Sequence, residues 1–280
     1  MAEAAYFKID LKDFGLKKDA SWFVEPLSDI HFGHNNCDKE AYLQAVLRIA
    51  QQPNRSTWFN GDMIDNIPPG DFRYGHAESV DPEMPEDVDQ EDAFATFSKP
   101  IFDKHAKTGV KCFGALLGNH EFARGYYSDK KFKKQFCQPY GIRMLGHLAW
   151  IWLDFYHNKK FLNTLKIWTT HGSYGGFQTG GEVNALQRLP AKYDADIFCV
   201  GHSHNKNITI SAIQYIEREK AKFKLMERTQ VQANLGTFLK TSILGHSNYP
   251  EKKGMYSRVS KIGTVTFEFN PYQNKLTGHE

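Results

Sequence analysis

Cysteine is scarce in this chain of 280 residues: Cys37, Cys112, Cys137 and Cys199 are widely spaced, and none belongs to a C-x-x-C pair. That excludes a disulfide framework and a cysteine zinc site as organising devices. No apolar run approaches the roughly 18 uncharged residues that would mark a membrane span. Residues 1–18 lack the apolar centre of a secretory signal, so no membrane partner and a cytoplasmic location are expected. The formal charge is only +3, too small by itself to argue for a nucleic-acid partner. Internal repeats, low-complexity linkers and a composition break between halves are missing too, which makes one domain over residues 1–280 the expectation.

What remains is a globular composition, 41% hydrophobic and 24% charged, with a large core to build. Cys112 and Cys199 fall inside β-rich runs and read as core residues. Residues 81–92 are acidic and 130–134 basic; these read as a solvated loop and a solvated helix face.

Five short polar motifs each directly follow an apolar run of strand length. Residues 23–28, interrupted by Glu25 and Pro26, lead into Asp29-Ile30-His31. Residues 56–59 lead into Gly61-Asp62, with Asp65 three residues on. Residues 110–117 precede Gly118-Asn119-His120-Glu121, 165–168 precede His171-Gly172, and 197–200 precede Gly201-His202-Ser203-His204. In open α/β sheets ligands bind outside the carboxyl ends of strands, so five such clusters can converge on one cleft.

Between the motifs, residues 40–51 place Tyr42, Val46, Leu47 and Ile49 at helical spacing, as a crossover helix between the first two strands requires. Ile67-Pro68-Pro69-Gly70 forbids regular structure, and a long loop to about residue 92 follows, then a second helix over roughly 91–107. Alternating Trp150, Trp152 and Phe155, a turn at Asn158-Lys159-Lys160 and a strand ending at His171 continue the sheet. Further strands are predicted at residues 208–210 and around Val265, Phe267 and Phe269.

Hard carboxylate oxygens and imidazoles in this quantity suit two divalent metal ions sharing one bridging ligand, a pair that in known hydrolases lies roughly 3.5 to 4 Å apart. The ordered motifs D-x-H, G-D, G-N-H-E, H and G-H-x-H, spanning Asp29 to His204, resemble those of the calcineurin-like metallophosphoesterases. The resemblance implies a four-layer α/β/β/α sandwich with two mixed sheets. It implies that Asp29, His31 and His204 hold one metal, that Asn119, His171 and His202 hold the other, and that Asp62 bridges them. Manganese, iron, zinc or nickel would each suit such ligands.

By the same resemblance a metal-bridging hydroxide attacks the phosphate ester in line and His120 is the acid for the leaving oxygen. In the protein serine/threonine phosphatase branch the aspartate matching Asp65 orients that histidine; a simple turn cap is the other reading of Asp65. That branch also carries two arginines for the phosphomonoester dianion, where this chain has Asn66 and Leu117. Their loss favours phosphodiesters. Arg124, Arg73 and His34 are the candidates for substrate contact, the arginines because guanidinium binds phosphate bidentately. His76, His105, His147, His157, His246 and His279 lack a motif context.

Two other readings stand beside this one. A DNA nuclease similar to those of double-strand-break repair uses the same motifs but carries capping segments this chain has little room for, so nucleic acid is possible but not favoured. A noncatalytic scaffold on the same fold would not need His120. The stretch from Asn234-Leu235-Gly236 through Tyr256 to Gly263-Thr264-Val265 loosely resembles the tails of phage-encoded members.

Overall fold

The computed structural model describes residues 3–66, 80–84, 87–122, 132–172, 179–220, 222–241 and 259–280. Two six-stranded sheets organise it. The first holds, in spatial order, β1 (Glu3–Asp10), β6 (Leu148–His157), β7 (Lys160–Thr170), β8 (Ile197–Val200), β10 (Lys222–Leu235) and β9 (Lys206–Glu219). The second runs β12 (Lys275–His279), β11 (Thr266–Asn270), β2 (Trp22–Val24), β3 (Arg55–Phe59), β4 (Cys112–Leu116) and β5 (Met144–Gly146). Both are mixed: β2 to β5 pair in parallel while β11 and β12 are antiparallel, and β7, β8 and β10 pair in parallel beside antiparallel β6 and β9.

The sheets face each other through a shared apolar layer, where Trp22, Val24, Trp58 and Phe113 of one meet Ile151, Leu153, Ile167 and Val231 of the other. Alternation along each strand supplies that inner face. Helix α1 (Lys39–Gln51) starts where the Asp38 carboxylate accepts from Ala41 N at 3.1 Å, an N-cap that satisfies one orphan donor. Its buried residues Tyr42, Ala45, Val46 and Ile49 form one stripe, which packs with Phe94 and Ile101 of α2 (Asp87–Thr108) over Phe59, Cys112 and Leu117. The first sheet is covered more thinly. Leu189, Tyr193 and Ala195 pack on Trp168 and Phe198, and Leu186 of a short helix Thr179–Gln187 borders them. The layers therefore follow the expected α/β/β/α order.

Several expectations need revision. The run at 23–28 pairs as a strand only over Trp22–Val24. Beyond it Glu25, fully buried, forms ion pairs with Arg48 and Arg55, and Leu27 rejoins β3 by donating to Trp58 O at 2.9 Å. The second helix begins four residues earlier than its apolar pattern suggests. The acidic run is not uniformly solvated: Asp81 is buried, 2.5 Å from Lys39 Nζ, because the charge it carries is neutralised where it is desolvated. Strands β1, β5 and β12 and the full length of the β9–β10 hairpin have no counterpart in the sequence reading. No helix among the described residues is long and apolar enough to cross a membrane.

Candidate metal centre

The polar motifs leave the carboxyl ends of five strands, three in one sheet and two in the other. Asp29 and His31 follow β2, Asp62 and Asp65 follow β3, and Asn119 and His120 follow β4, while His171 follows β7 and His202 and His204 follow β8. The two sheets come together tightly there. A Cβ on Gly61 would lie 2.7 Å from His171 Nδ1, and one on Gly118 would lie 2.1 Å from Asp62 Oδ1, so neither position tolerates a side chain.

Asp29, His31, Asp62, His202 and His204 all have φ between +50° and +65°. Such left-handed conformations cost of order 1 kcal/mol or more per non-glycine residue and persist where surrounding contacts impose them. Here the contacts are visible. Asp29 O accepts from Thr237 Oγ1 at 2.8 Å and from Phe238 N at 3.0 Å, and its carboxylate accepts from His202 N at 3.0 and 3.1 Å.

The donor atoms form one continuous group. His204 Nε2 is 3.3 Å from Asp29 Oδ1 and 3.1 Å from His31 Nε2. Asp62 Oδ2 is 3.1 Å from His171 Nε2 and 3.9 Å from both His31 Nε2 and His120 Nε2, and Asn119 Oδ1 is 3.1 Å from His171 Nε2. Three sets of donor atoms lie mutually within 4.8 Å: Asp29, His31 and His204; Asp62, His171 and His202; and His31, Asp62 and His120. Asp62 is thus shared between neighbouring sets.

Hydrogen bonds outside the cluster orient two of the rings. His171 Nδ1 donates to Asn60 O at 2.8 Å, and His120 Nδ1 donates to Asp65 O. A carbonyl can only accept, so each ring carries its proton on Nδ1 and turns Nε2 toward Asp62. Electrostatics follow from the burial. His31 is pushed down to about 4, mainly by desolvation and against its bond to Asp65. Burial also disfavours charge on His171, but the Asp62 and Asp29 carboxylates outweigh it and raise that ring to about 10. The two buried carboxylates therefore demand positive charge in this cleft. A divalent cation meets the same demand with neutral imidazoles, and the oxygen and nitrogen donors present fit one.

The expected pairing of Asp65 with His120 is only partly what is found. The Asp65 carboxylate is 3.2 Å from His31 Nδ1 and 3.7 Å from His120 Nδ1, and the bond to His120 comes from the Asp65 backbone. His34 stands beside the cluster, its Nδ1 accepting from Asn36 N at 3.0 Å; burial lowers its pKa while Asp65 opposes that shift. Arg73 and Arg124 lie outside the described residues.

Other residues that the motif reading passes over hold the site. The buried Glu121 carboxylate accepts from the backbone of Asp62 (3.0 Å), Met63 (2.6 Å), Ile64 (3.3 Å) and Gly118 (2.9 Å). Asn60 accepts from Trp58 Nε1 and Thr169 Oγ1 and donates to Thr170 O, tying the sheets together just before the cleft. Both lie within the G-D and G-N-H-E neighbourhoods, the one signal that marks them. Asn66 points inward: buried, it donates to His120 O at 3.2 Å.

No known family profile matches the chain, and no curated protein matches it by sequence. Solved structures similar to it include a metallophosphoesterase from Sphaerobacter thermophilus (14% identity, 93% of this chain and 88% of that one, TM-score 0.36). Others are GAP50 of Plasmodium, described as the anchor in the inner membrane complex (10%, 93% and 88%, TM-score 0.44), and the nuclease MPE of Pseudomonas putida (10%, 91% and 87%, TM-score 0.32).

Proposed function

We propose that this chain is a dinuclear-metal-dependent hydrolase of phosphate esters that favours phosphodiesters over phosphomonoesters. The observation that carries the reading is the position of Asp62, whose Oδ2 lies 3.1 Å from His171 Nε2 on one side and 3.9 Å from His31 Nε2 on the other. Asp29, His31 and His204 would hold one metal and Asn119, His171 and His202 the other, with Asp62 shared between the two. When bound, the two divalent ions activate water and neutralise phosphoryl charge. Manganese, iron, zinc and nickel are the candidates.

The residues themselves supply orientation and a proton. His120, held at Nδ1 by Asp65 O, presents Nε2 to the cleft and protonates the leaving oxygen. Asp65 acts on the site through His31 as well as His120. The preference for diesters rests on positions 66 and 117: Asn66 and Leu117 are uncharged, so neither offers the charge that a monoester dianion needs beyond the metals. Arg73, Arg124 and His34 remain the substrate-contact candidates, and the common core between the sheets supports one domain over residues 1–280.

A metal-reconstituted screen of aryl phosphomonoesters, aryl phosphodiesters, cyclic nucleotides and single- and double-stranded DNA tests this. Diester turnover should at least match monoester turnover. Monoesterase without diesterase activity would sink the preference, efficient DNA cleavage would favour the nuclease reading, and no turnover with any of the metals would favour a scaffold.

A further inference from the structure

The β9–β10 hairpin outruns the sheet to which it belongs. Strand β8 pairs with β10 only over Val231 to Asn234, so residues 222–230 have β9 as their one strand neighbour among the described residues. Ion pairs of Arg228 with Asp194 and Asp196, at 2.8 and 2.6 Å, fasten the base of this arm. Beyond them its residues are mostly exposed. An isolated two-stranded ribbon is marginal in water, and a free apolar strand edge invites pairing, which makes the side chains on it informative.

Directly opposed residues of antiparallel strands share a face. Val231, opposite Ile210, is buried in the core between the sheets, so the pairs Thr229–Ala212, Glu227–Gln214, Leu225–Ile216 and Phe223–Arg218 continue that inner face outward. Ile210 is 53% exposed, Leu225 65%, Ile216 69% and Phe223 74%. This is core-type surface that has run past its cover. The three of these in the outer rows, Ile216, Leu225 and Phe223, expose on the order of 400 Å², close to the roughly 450 Å² apolar share of one partner's roughly 800 Å² in a standard dimer interface.

We propose that this arm is the dimer contact of the protein, its inner face packed antiparallel on the same face of a second copy. The charges select that occupant. The charged residues at these inner-face pairs are Arg218, one row beyond the Leu225–Ile216 pair toward the tip, and Glu227, one row before it. A twofold axis along the Leu225–Ile216 row brings Arg218 of one copy into the same row as Glu227 of the other, diagonally across one strand spacing and within reach of a guanidinium, twice, and buries the Leu225–Ile216 row between them. Self-complementarity of this kind is what an isologous interface requires. The Arg218 side chain is steadied toward the tip by its Nε bond to Lys220 O at 3.1 Å. A nucleic-acid prong would be one-sidedly basic, whereas Glu217 and Glu227 alternate here with Arg218, Lys222 and Lys224.

Sedimentation velocity across about 1 to 50 μM, a range that brackets a micromolar dimer, should show the full-length protein at twice the chain mass. Ile216→Asp and Leu225→Asp should sediment as monomers with unchanged circular dichroism. Should either fail to fold, the charge swap still decides. Arg218→Glu and Glu227→Arg should each raise the dimer dissociation constant at least about 10-fold, and the double variant should recover most of that loss. A wild-type monomer throughout the range overturns the proposal, as does a double variant no tighter than the singles. A monomer that floats with phosphatidylglycerol vesicles would assign the arm to a membrane surface and overturn it equally.

Discussion

The Asp65 carboxylate sits 3.2 Å from His31 Nδ1, nearer than the 3.7 Å that separates it from His120 Nδ1. A carboxylate behind an imidazole fixes the ring's tautomer and increases the basicity of its other nitrogen. In His31 that other nitrogen, Nε2, faces His204 and Asp62. Asp65→Asn should therefore weaken metal binding by roughly 10 to 100-fold, as loss of such an outer partner generally does. Titration with manganese, followed by turnover at saturating metal, separates the roles: an unchanged metal affinity with depressed turnover would place Asp65 behind His120 alone.

The motifs make this site legible for a physical reason. Asp29, Asp62, Asn119, His171 and His202 each stand just past a β-rich apolar run, and parallel strands can deliver such positions to one edge. What the runs themselves do not reveal is which of the two sheets each belongs to, since residues 165–168 and 197–200 look no different from 56–59. Nor is Glu121 legible as the acceptor for four backbone donors, because backbone partners leave no mark in composition. Strand β1 hides for a related reason: its side chains alternate in burial but include Glu3, Lys8 and Asp10, which read as a solvated segment. The β9–β10 hairpin is obscured by apolar residues on both faces, Ile213 and Tyr215 on one and Ile216 and Leu225 on the other, so no period-2 signal survives.

Glu121→Ala should loosen the metal centre without touching a metal. It leaves the amides of Asp62, Met63, Ile64 and Gly118 without their acceptor. Buried donors so abandoned cost about 1 to 3 kcal/mol each where water does not reach them, and a combined loss of about 3 to 5 kcal/mol is expected after relaxation. Chemical denaturation measures it. Glu121→Gln retains one oxygen acceptor and should lose less; equal losses would argue that packing, not the hydrogen bonds, holds the loop.

His105 offers a pH signature remote from the metal centre. It accepts from Cys112 N at 3.1 Å through Nδ1 and donates to Gly141 O at 3.3 Å through Nε2, which defines a neutral ring. Burial lowers its pKa, and the bond to Gly141 only partly opposes the shift. The folded pKa thus lies below the unfolded value of about 6.5. Between the two, the unfolded chain binds more protons, so this contribution to stability is present above about 6.5 and is lost as pH falls toward the folded pKa. His105→Asn keeps an acceptor near the Nδ1 position and cannot titrate. Urea melts at pH 7.5 and 5.5 should show its stability deficit shrinking at the lower pH; a deficit independent of pH would remove His105 from the acid-sensitive groups.

His120 separates chemistry from metal binding, yet its Nε2 lies as close to Asp62 Oδ2 as that of His31 does, 3.9 Å in both cases. Distance alone does not distinguish ligand from acid. As an acid, His120→Ala should leave both metals bound and lower turnover by roughly 100 to 10,000-fold, the contribution of a positioned proton donor. The loss should depend on the leaving group. A nitrophenolate departs as a weak base and needs little protonation, whereas an alkoxide or nucleoside oxygen needs a full proton, so the defect should be larger for the alkyl ester. Asp62→Ala, which removes the proposed bridge, should instead lower metal content and abolish turnover of both esters. Metal analysis after dialysis and rates on the two esters decide between the roles. Metal loss in His120→Ala comparable to that in Asp62→Ala would make His120 a ligand, and equal rate losses on the two esters would deny it the proton.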